Sequence, residues 1–98
     1  MVRILIKRHI KEGTLKDVYA LVNEQRAKAM KQKGYVRGET LSKYQNPHCL
    51  LVISMWMSMD NWLAWKGNNE RGVIEEKLEQ FLESPTEYDE YIFGWYPI

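Results

Sequence analysis

The sequence predicts an α+β protein whose elements run strand, helix, strand, strand, helix, strand. Three observations predict it. The N-terminus alternates apolar and polar residues with a period of two. A second strand-like run, Cys49 to Met57, is apolar on both parities. Two stretches, after Thr14 and after Ser58, carry apolar residues near helical spacing instead.

In the first element, Val2, Ile4 and Ile6 alternate with Arg3, Leu5 and Lys7. This predicts a strand from about Val2 to His9 with one strongly apolar face. Lys11-Glu12-Gly13 is a turn. Thr14 then caps a helix, with Asp17 three residues on in a capping-box-like arrangement. Leu15, Val18, Leu21, Val22, Ala29 and Met30 follow the helical period. Lys28, Lys31 and Lys33 suit the negative end of the helix dipole, and Gly34 is a C-cap. That gives a helix of about 20 residues, or about 30 Å.

Tyr35 to Tyr44 predicts a less regular second strand, with Gly38 as a bulge. Gln45-Asn46-Pro47-His48 has turn chemistry. In the third strand, Leu51, Ile53, Met55 and Met57 share one face, and Leu50, Val52, Ser54 and Trp56 the other. It is expected to be buried on both sides. Ser58 caps a short helix over Asp60 to Lys66, which Lys66-Gly67-Asn68-Asn69 interrupts. A further helix carries Val73, Ile74, Lys77, Leu78, Phe81 and Leu82 on one stripe, and Ser84-Pro85 stops it. Thr86 to Tyr96 is the last strand. Tyr91, Phe93 and Trp95 lie on one face, Tyr88, Ile92 and Tyr96 on the other.

This order is the split βαβ, ferredoxin-like pattern. It predicts a single domain over residues 1–98, with a four-stranded antiparallel sheet and both helices on one face. The uncovered sheet face carries large apolar groups, which are rarely left wet on a monomer. A homodimer joined sheet to sheet is the expected partner arrangement.

Composition narrows the function classes. The chain has 14 Lys and Arg against 13 Asp and Glu, a net charge of +1. That balance gives no general pull toward nucleic acid or an anionic membrane. The longest unbroken apolar run is Cys49 to Ile53, too short to span a bilayer. Arg3, Lys7, Arg8 and His9 break up the N-terminus, so it lacks a signal-peptide core. Cys49 is the only cysteine, which excludes an intramolecular disulfide and suits a reducing compartment. The expected location is the cytoplasm. An RNA-recognition motif has the same element order, but Leu50 to Met57 lacks its basic residue, glycine and exposed aromatics.

A series of segments carries a resemblance. Lys33-Gly34-Tyr35-Val36-Arg37-Gly38-Glu39-Thr40-Leu41 leads into the second strand. Val52-Ile53-Ser54-Met55-Trp56-Met57-Ser58-Met59-Asp60-Asn61-Trp62-Leu63-Ala64-Trp65 joins the third strand to the next helix. Arg71, Ile74-Glu75 and Leu82-Glu83-Ser84-Pro85 follow. Together these resemble the antibiotic biosynthesis monooxygenase family of the dimeric α+β barrel superfamily, over nearly the whole chain. The resemblance implies a ferredoxin-like protomer and a dimer whose sheets close into a barrel. It implies, as one activity of the family, oxidation of an aromatic polyketide or quinol without metal or flavin. The expectation is therefore a monooxygenase with no bound cofactor, acting on a small apolar or aromatic molecule. The alternative is a non-catalytic, small-molecule-binding dimer of the same fold.

The candidate site residues follow. Trp62 and Trp65, three apart on one helix, either form the wall of a cleft that stacks on a flat substrate or fill the core. Trp65 matches the helical Trp of the family's active-site cleft. Trp56 reads as core or dimer interface. Asn61 either polarises a substrate carbonyl or is an ordinary polar residue in the first helical turn. His9 and His48 are the only imidazoles; His9 is the candidate base, and both also read as simply solvated. His48-Cys49 with one distant His does not make a metal-ligand set. The family's haem-degrading branch uses an Asn in the first strand, a helical Trp and a later His. Here those positions fall on or near Ile6, Trp65 and Glu75, and no His follows His48, which disfavours haem breakdown.

Overall fold

The computed structural model describes residues 1–94. Strands β1 (Val2–His9), β2 (Tyr35–Lys43), β3 (Asn46–Trp56) and β4 (Glu87–Ile92) form one sheet in the order β2-β3-β1-β4. Every neighbouring pair is antiparallel. Helices α1 (Leu15–Ala29), α2 (Met59–Lys66) and α3 (Asn69–Glu79) complete the fold. It is the ferredoxin-like α+β arrangement that the element order predicts, with the second helix in two pieces.

The helices cover one face of the sheet. On β1 the even residues Val2, Ile4, Ile6 and Arg8 are buried. Register places them opposite Trp56, Ser54, Val52 and Leu50 of β3. Two apolar clusters lie under the helices. One is aromatic, with Ile4, Ile6, Trp56, Trp62 and Trp65. The other is aliphatic, with Ile10, Val18, Val22, Leu50, Ile74 and Leu78. Arg8 sits between Ile6 and Ile10 along β1, and Gln25 between Val22 and Ala29 along α1. These two buried polar residues mark the boundary between the clusters.

Several local expectations are corrected. Helix α1 ends at Ala29, not at Gly34, and Met30 caps it in a right-handed conformation. Gly34 does have a positive φ, of 85°, but in the turn beyond. Its missing Cβ makes room for Asn61, whose side chain would clash with any larger residue there. Thr14 makes no capping hydrogen bond to the helix; its hydroxyl donates to the Lys11 carbonyl at 2.7 Å. The β2 irregularity falls between Tyr35 and Arg37, not at Gly38. Gly38 is a space-maker instead, since a Cβ there would stand 2.6 Å from the Tyr35 hydroxyl.

The turn after β2 is shorter than expected. Strand β3 already begins at Asn46, and Gln45 takes a φ of 63°. The pairing skips between Ser42↔Leu50 and Lys43↔Asn46. Pro47, which has no N–H to donate, lies within that skip. Strand β3 buries Leu50, Ser54 and Trp56 on the helix face and half-buries Val52; on the other face Met55 is buried, but Leu51 and Ile53 are only partly covered within the protomer. The cause is that all three helices lie on one side. On α3 the buried stripe is Arg71, Ile74 and Leu78, and Val73 is exposed. The expectations for Trp95 and Tyr96 lie outside the described residues.

Candidate functional site

A cleft opens between the helices and the inner face of the sheet at its aromatic end. Its floor is Ile6, Val52, Ser54 and Trp56; Trp62 and Trp65 of α2 wall one side. Helix α1 supplies Gln25 and Arg26, β2 supplies Tyr35 and Gly38, and α3 supplies Arg71. The cavity volume is about 40 Å³, and it opens into about 400 Å³ of space that includes the solvent at the mouth. The inner part is therefore narrow, with room for a few waters, and a larger group would extend into the mouth.

The aromatic wall is a chain of ring contacts. Tyr35 meets Trp56 edge to face, with centroids 5.3 Å apart and planes at 88°. Trp56 and Trp62 are 6.0 Å apart, and Trp62 and Tyr88 6.1 Å. Such pairs add to area burial. The Trp56 Nε1–H donates to Ser54 Oγ at 3.1 Å, and the Trp62 Nε1–H to Glu90 Oε2 at 2.6 Å. The Trp62 bond, and then Lys66, hold the Glu90 carboxyl below its ordinary value, against partial burial. Helix α2 can present Trp62 and Trp65 because Ser58 stops the strand and caps the helix. Its Oγ accepts from the Asn61 backbone N–H at 3.2 Å.

Behind the cleft lies a buried polar cluster. Arg8 donates to Glu75 Oε1 at 2.7 Å and to Gln25 Oε1 at 3.3 Å. Gln25 in turn donates to Glu75 at 3.2 Å, and Thr86 Oγ1 donates to the other Glu75 oxygen at 2.6 Å. Burial pushes the Glu75 carboxyl up, but Arg8, Thr86 and Arg71 outweigh it and hold the acid below its ordinary range. Arg71 donates to the Tyr88 hydroxyl at 2.9 Å, and its guanidinium lies 5.4 Å from the Trp62 ring centroid and 5.3 Å from that of Tyr88. Burial raises the Tyr35 phenol above 10.0, with Arg26 opposing, so Tyr35 is a neutral donor at physiological pH.

The structure brings Trp62 and Trp65 together at the cleft, where both are nearly fully buried. It does not bring Asn61 or His9 there. The Asn61 carboxamide oxygen accepts from the Ser58 hydroxyl at 2.7 Å, and the side chain fills the space over Gly34. His9 lies at the end of β1 on the parity facing away from the helices, 3.2 Å from Glu87. His48 lies 3.7 Å from Glu12. Trp56 is fully buried under the helices, on the core side of the sheet. Among the described residues, no three His, Cys, Asp or Glu side chains are placed to hold a metal ion. No helix of the described residues is long and apolar enough to cross a membrane.

Sequence reasoning missed Arg8, Gln25, Arg71 and Glu75 as one cluster. A signal was present. Arg8 continues the apolar parity of Val2, Ile4 and Ile6. Gln25 falls on the stripe of Val18, Val22 and Ala29, and Arg71 on that of Ile74 and Leu78. Polar residues in apolar register are buried and must find partners there.

Comparison with known proteins agrees with the fold. The family model described as "Antibiotic biosynthesis monooxygenase" matches residues 1–77. No curated protein sequence matches the chain. Among solved structures, a conserved protein from Methanosarcina mazei Go1 superposes with a TM-score of 0.86 at 18% identity, covering 92% of this chain and 89% of that one. SnoaB, a cofactor-independent oxygenase from Streptomyces nogalater, superposes at 0.83 and 14% identity, covering 97% and 95%. Rv0793 from Mycobacterium tuberculosis gives 0.84 at 10% identity, covering 93% and 92%. At these identities the likeness concerns the fold alone. With most of its length matched by the family model and its fold shared with such structures, the chain belongs to the antibiotic biosynthesis monooxygenase family.

Proposed function

We propose that the protein is a monooxygenase that works without a bound cofactor on a small aromatic or quinol-type substrate. Membership of the family supports the reaction type, as does the fold shared with SnoaB, described as a cofactor-independent oxygenase. The observation that carries the choice of site is the cleft walled by Trp56, Trp62 and Trp65. An electron-rich aromatic that loses a proton can pass an electron to oxygen itself. After recombination, one oxygen atom stays on the substrate carbon and the other leaves as water. The protein's share is to hold the molecule flat, exclude water and offer donors to the developing oxyanion. Trp62 and Trp65 are the platform, and the neutral Tyr35 hydroxyl is a donor on the cleft wall.

Neither Asn61 nor His9 lines this cleft, so the reading assigns the deprotonation to no side chain of theirs. The substrate must be acidic enough to give its proton to water at the cleft. Oxygen uptake with an anthrone or a naphthalene quinol, in the presence of a metal chelator, is the test. We expect uptake by the wild type and a loss of at least tenfold in Trp65→Ala. Equal rates in both would remove the cleft from the mechanism.

The narrow interior favours a second reading, a dimer that binds a small molecule without oxidising it. Quenching of Trp fluorescence by the ligand, with no oxygen consumed, would select it. In either case we propose a homodimer through the outer sheet face, where Leu5, Leu41, Leu51, Ile53 and Tyr91 stand without a covering layer. Light scattering at micromolar concentration is expected to give twice the protomer mass of 11.7 kDa.

A further inference from the structure

The buried charges beside the cleft do not balance. Arg8, Arg71 and Glu75 share one cluster, so two cations face one anion there and the sum is +1. Arg26 adds a second cation to the cleft wall, half-buried and bonded to the Thr40 hydroxyl. Among the described residues, no acidic residue lines the cleft. Glu90 lies beyond Trp62 and is itself paired with Lys66 at 3.1 Å. Glu75 is committed to Arg8, and its distance to Arg71 is 3.7 Å, too long for a hydrogen bond.

Arg71 is the most telling member. It is only 3% exposed, yet it lines the cleft. Among the described residues its hydrogen bonding is to Tyr88, while a guanidinium carries five N–H donors. The Trp62 and Tyr88 rings lie beside its guanidinium carbon, and aromatic rings take up none of its strong N–H donors as a carboxylate would. A buried cation with spare donors, which must share its one acid, Glu75, with the closer Arg8, is only partly compensated unless something negative joins it. The neighbouring Arg8 Nε is also buried and without a partner among the described residues.

We propose that the cleft takes its ligand as an aromatic anion, with the negative oxygen on Arg71 and the ring against Trp62 and Trp65. This rests on the reading of the cleft as the substrate site and narrows its substrate class. The shared chemistry is a flat ring bearing an anionic oxygen, as a carboxylate or as a deprotonated phenol or enol. The planar guanidinium fits a carboxylate through two parallel N–H bonds and a single oxyanion through one or two. A substrate held as its oxyanion is also already past the proton loss that precedes electron transfer to oxygen.

Matched small probes test this. Binding of benzoate is compared with benzamide, and of 4-nitrophenolate at pH 8.5 with 4-nitroanisole, each followed by Trp fluorescence and by calorimetry. The inference expects each anion to bind at least tenfold tighter than its neutral isostere. Preference for benzoate alone identifies a carboxylate; preference for both anions identifies a general oxyanion site. Arg71→Met is expected to weaken the anions roughly tenfold to hundredfold and to leave the neutral isosteres unchanged, a pattern that misfolding would not give. Because Arg71 is buried, half-exposed Arg26→Gln is measured beside it, with a smaller loss for the anions of about threefold expected from a partly screened charge.

Equal binding of anion and neutral isostere would overturn the inference while leaving the cleft as an aromatic site. An unchanged benzoate affinity in Arg71→Met would overturn it as well. If neither anions nor neutral isosteres bind, the cleft is not a ligand site, and the reading beneath falls with it.

Discussion

The two halves of the interior use the same layers differently. Around Leu50, Ile74 and Leu78, aliphatic side chains from β3 and α3 meet Val18 and Val22 of α1 and fill the space between helix and sheet. Around Trp56, Trp62 and Trp65, rigid rings meet at wide angles and leave a cleft. Branched aliphatic groups interdigitate closely, whereas large planar groups hold a shape that smaller neighbours such as Gly38 and Ala29 do not fill. On the function we propose, the aliphatic half supplies stability and the aromatic half supplies the site. The layer of Arg8, Gln25, Glu75 and Arg71 separates them and belongs to both.

That division can be broken at the boundary first. Glu75→Gln leaves Arg8 and Arg71 buried with no anion between them, and is expected to cost about 3–5 kcal/mol in urea unfolding at pH 7. Next, Leu78→Ala, at a fully buried position in the aliphatic half, is expected to cost about 2–5 kcal/mol. Trp65→Leu, which borders space already empty, should cost less than Leu78→Ala and abolish ligand binding. The reverse order of stabilities would mean that the aromatic half is core.

The pH dependence sharpens the role of Glu75. Its folded carboxyl lies below the ordinary value of 4.5, so its contribution is fully present above that value. It is lost as pH falls from about 4.5 down through the folded value, because the unfolded chain binds the proton first. Acid unfolding followed by circular dichroism should show this loss in the wild type, and Glu75→Gln should lack that component of it. The smallest effect belongs to His9→Gln. The His9–Glu87 pair is exposed, so stability should change by less than about 1 kcal/mol, with ligand binding unaltered. A clear loss of oxygen uptake in His9→Gln would instead give that imidazole a role across a dimer interface.

Much of the fold was legible because period and punctuation agreed. Val2-Ile4-Ile6 alternated cleanly, and Ser58 stood where a helix starts and accepts a backbone N–H through its side chain; Asn68, read only as part of an interruption, caps the next helix in the same way. The ends were less legible. Helix α1 stops at Ala29 although Lys31 and Lys33 continue a helix-like composition, because the chain must turn to put Gly34 against Asn61. The turn at Tyr44–Gln45 was hidden by Asn46-Pro47, whose turn chemistry is spent on an irregular stretch of β3 instead.

Of the cleft lining, the placing of Trp62 and Trp65 side by side was legible from their spacing on α2, and Trp65 was marked also by the family resemblance. Arg71 was not, because a charged residue on a helix reads as solvated until the partner surfaces are known. The Trp62 and Tyr88 rings that hold it come from α2 and β4, and Glu75, the acid shared with Arg8, comes from its own next turn.

On the function we propose, the ligand enters the aromatic half and leaves the aliphatic half untouched. The most direct measurement is a titration of the isotope-labelled protein with a naphthalene quinol under anaerobic conditions, where binding occurs without turnover. The indole N–H resonances of Trp62 and Trp65 should shift in a saturable way, while the methyl groups of Leu50, Ile74 and Leu78 stay in place. Shifts confined to Leu51, Ile53 and Tyr91 on the outer sheet face, or to the aliphatic cluster, would contradict the account.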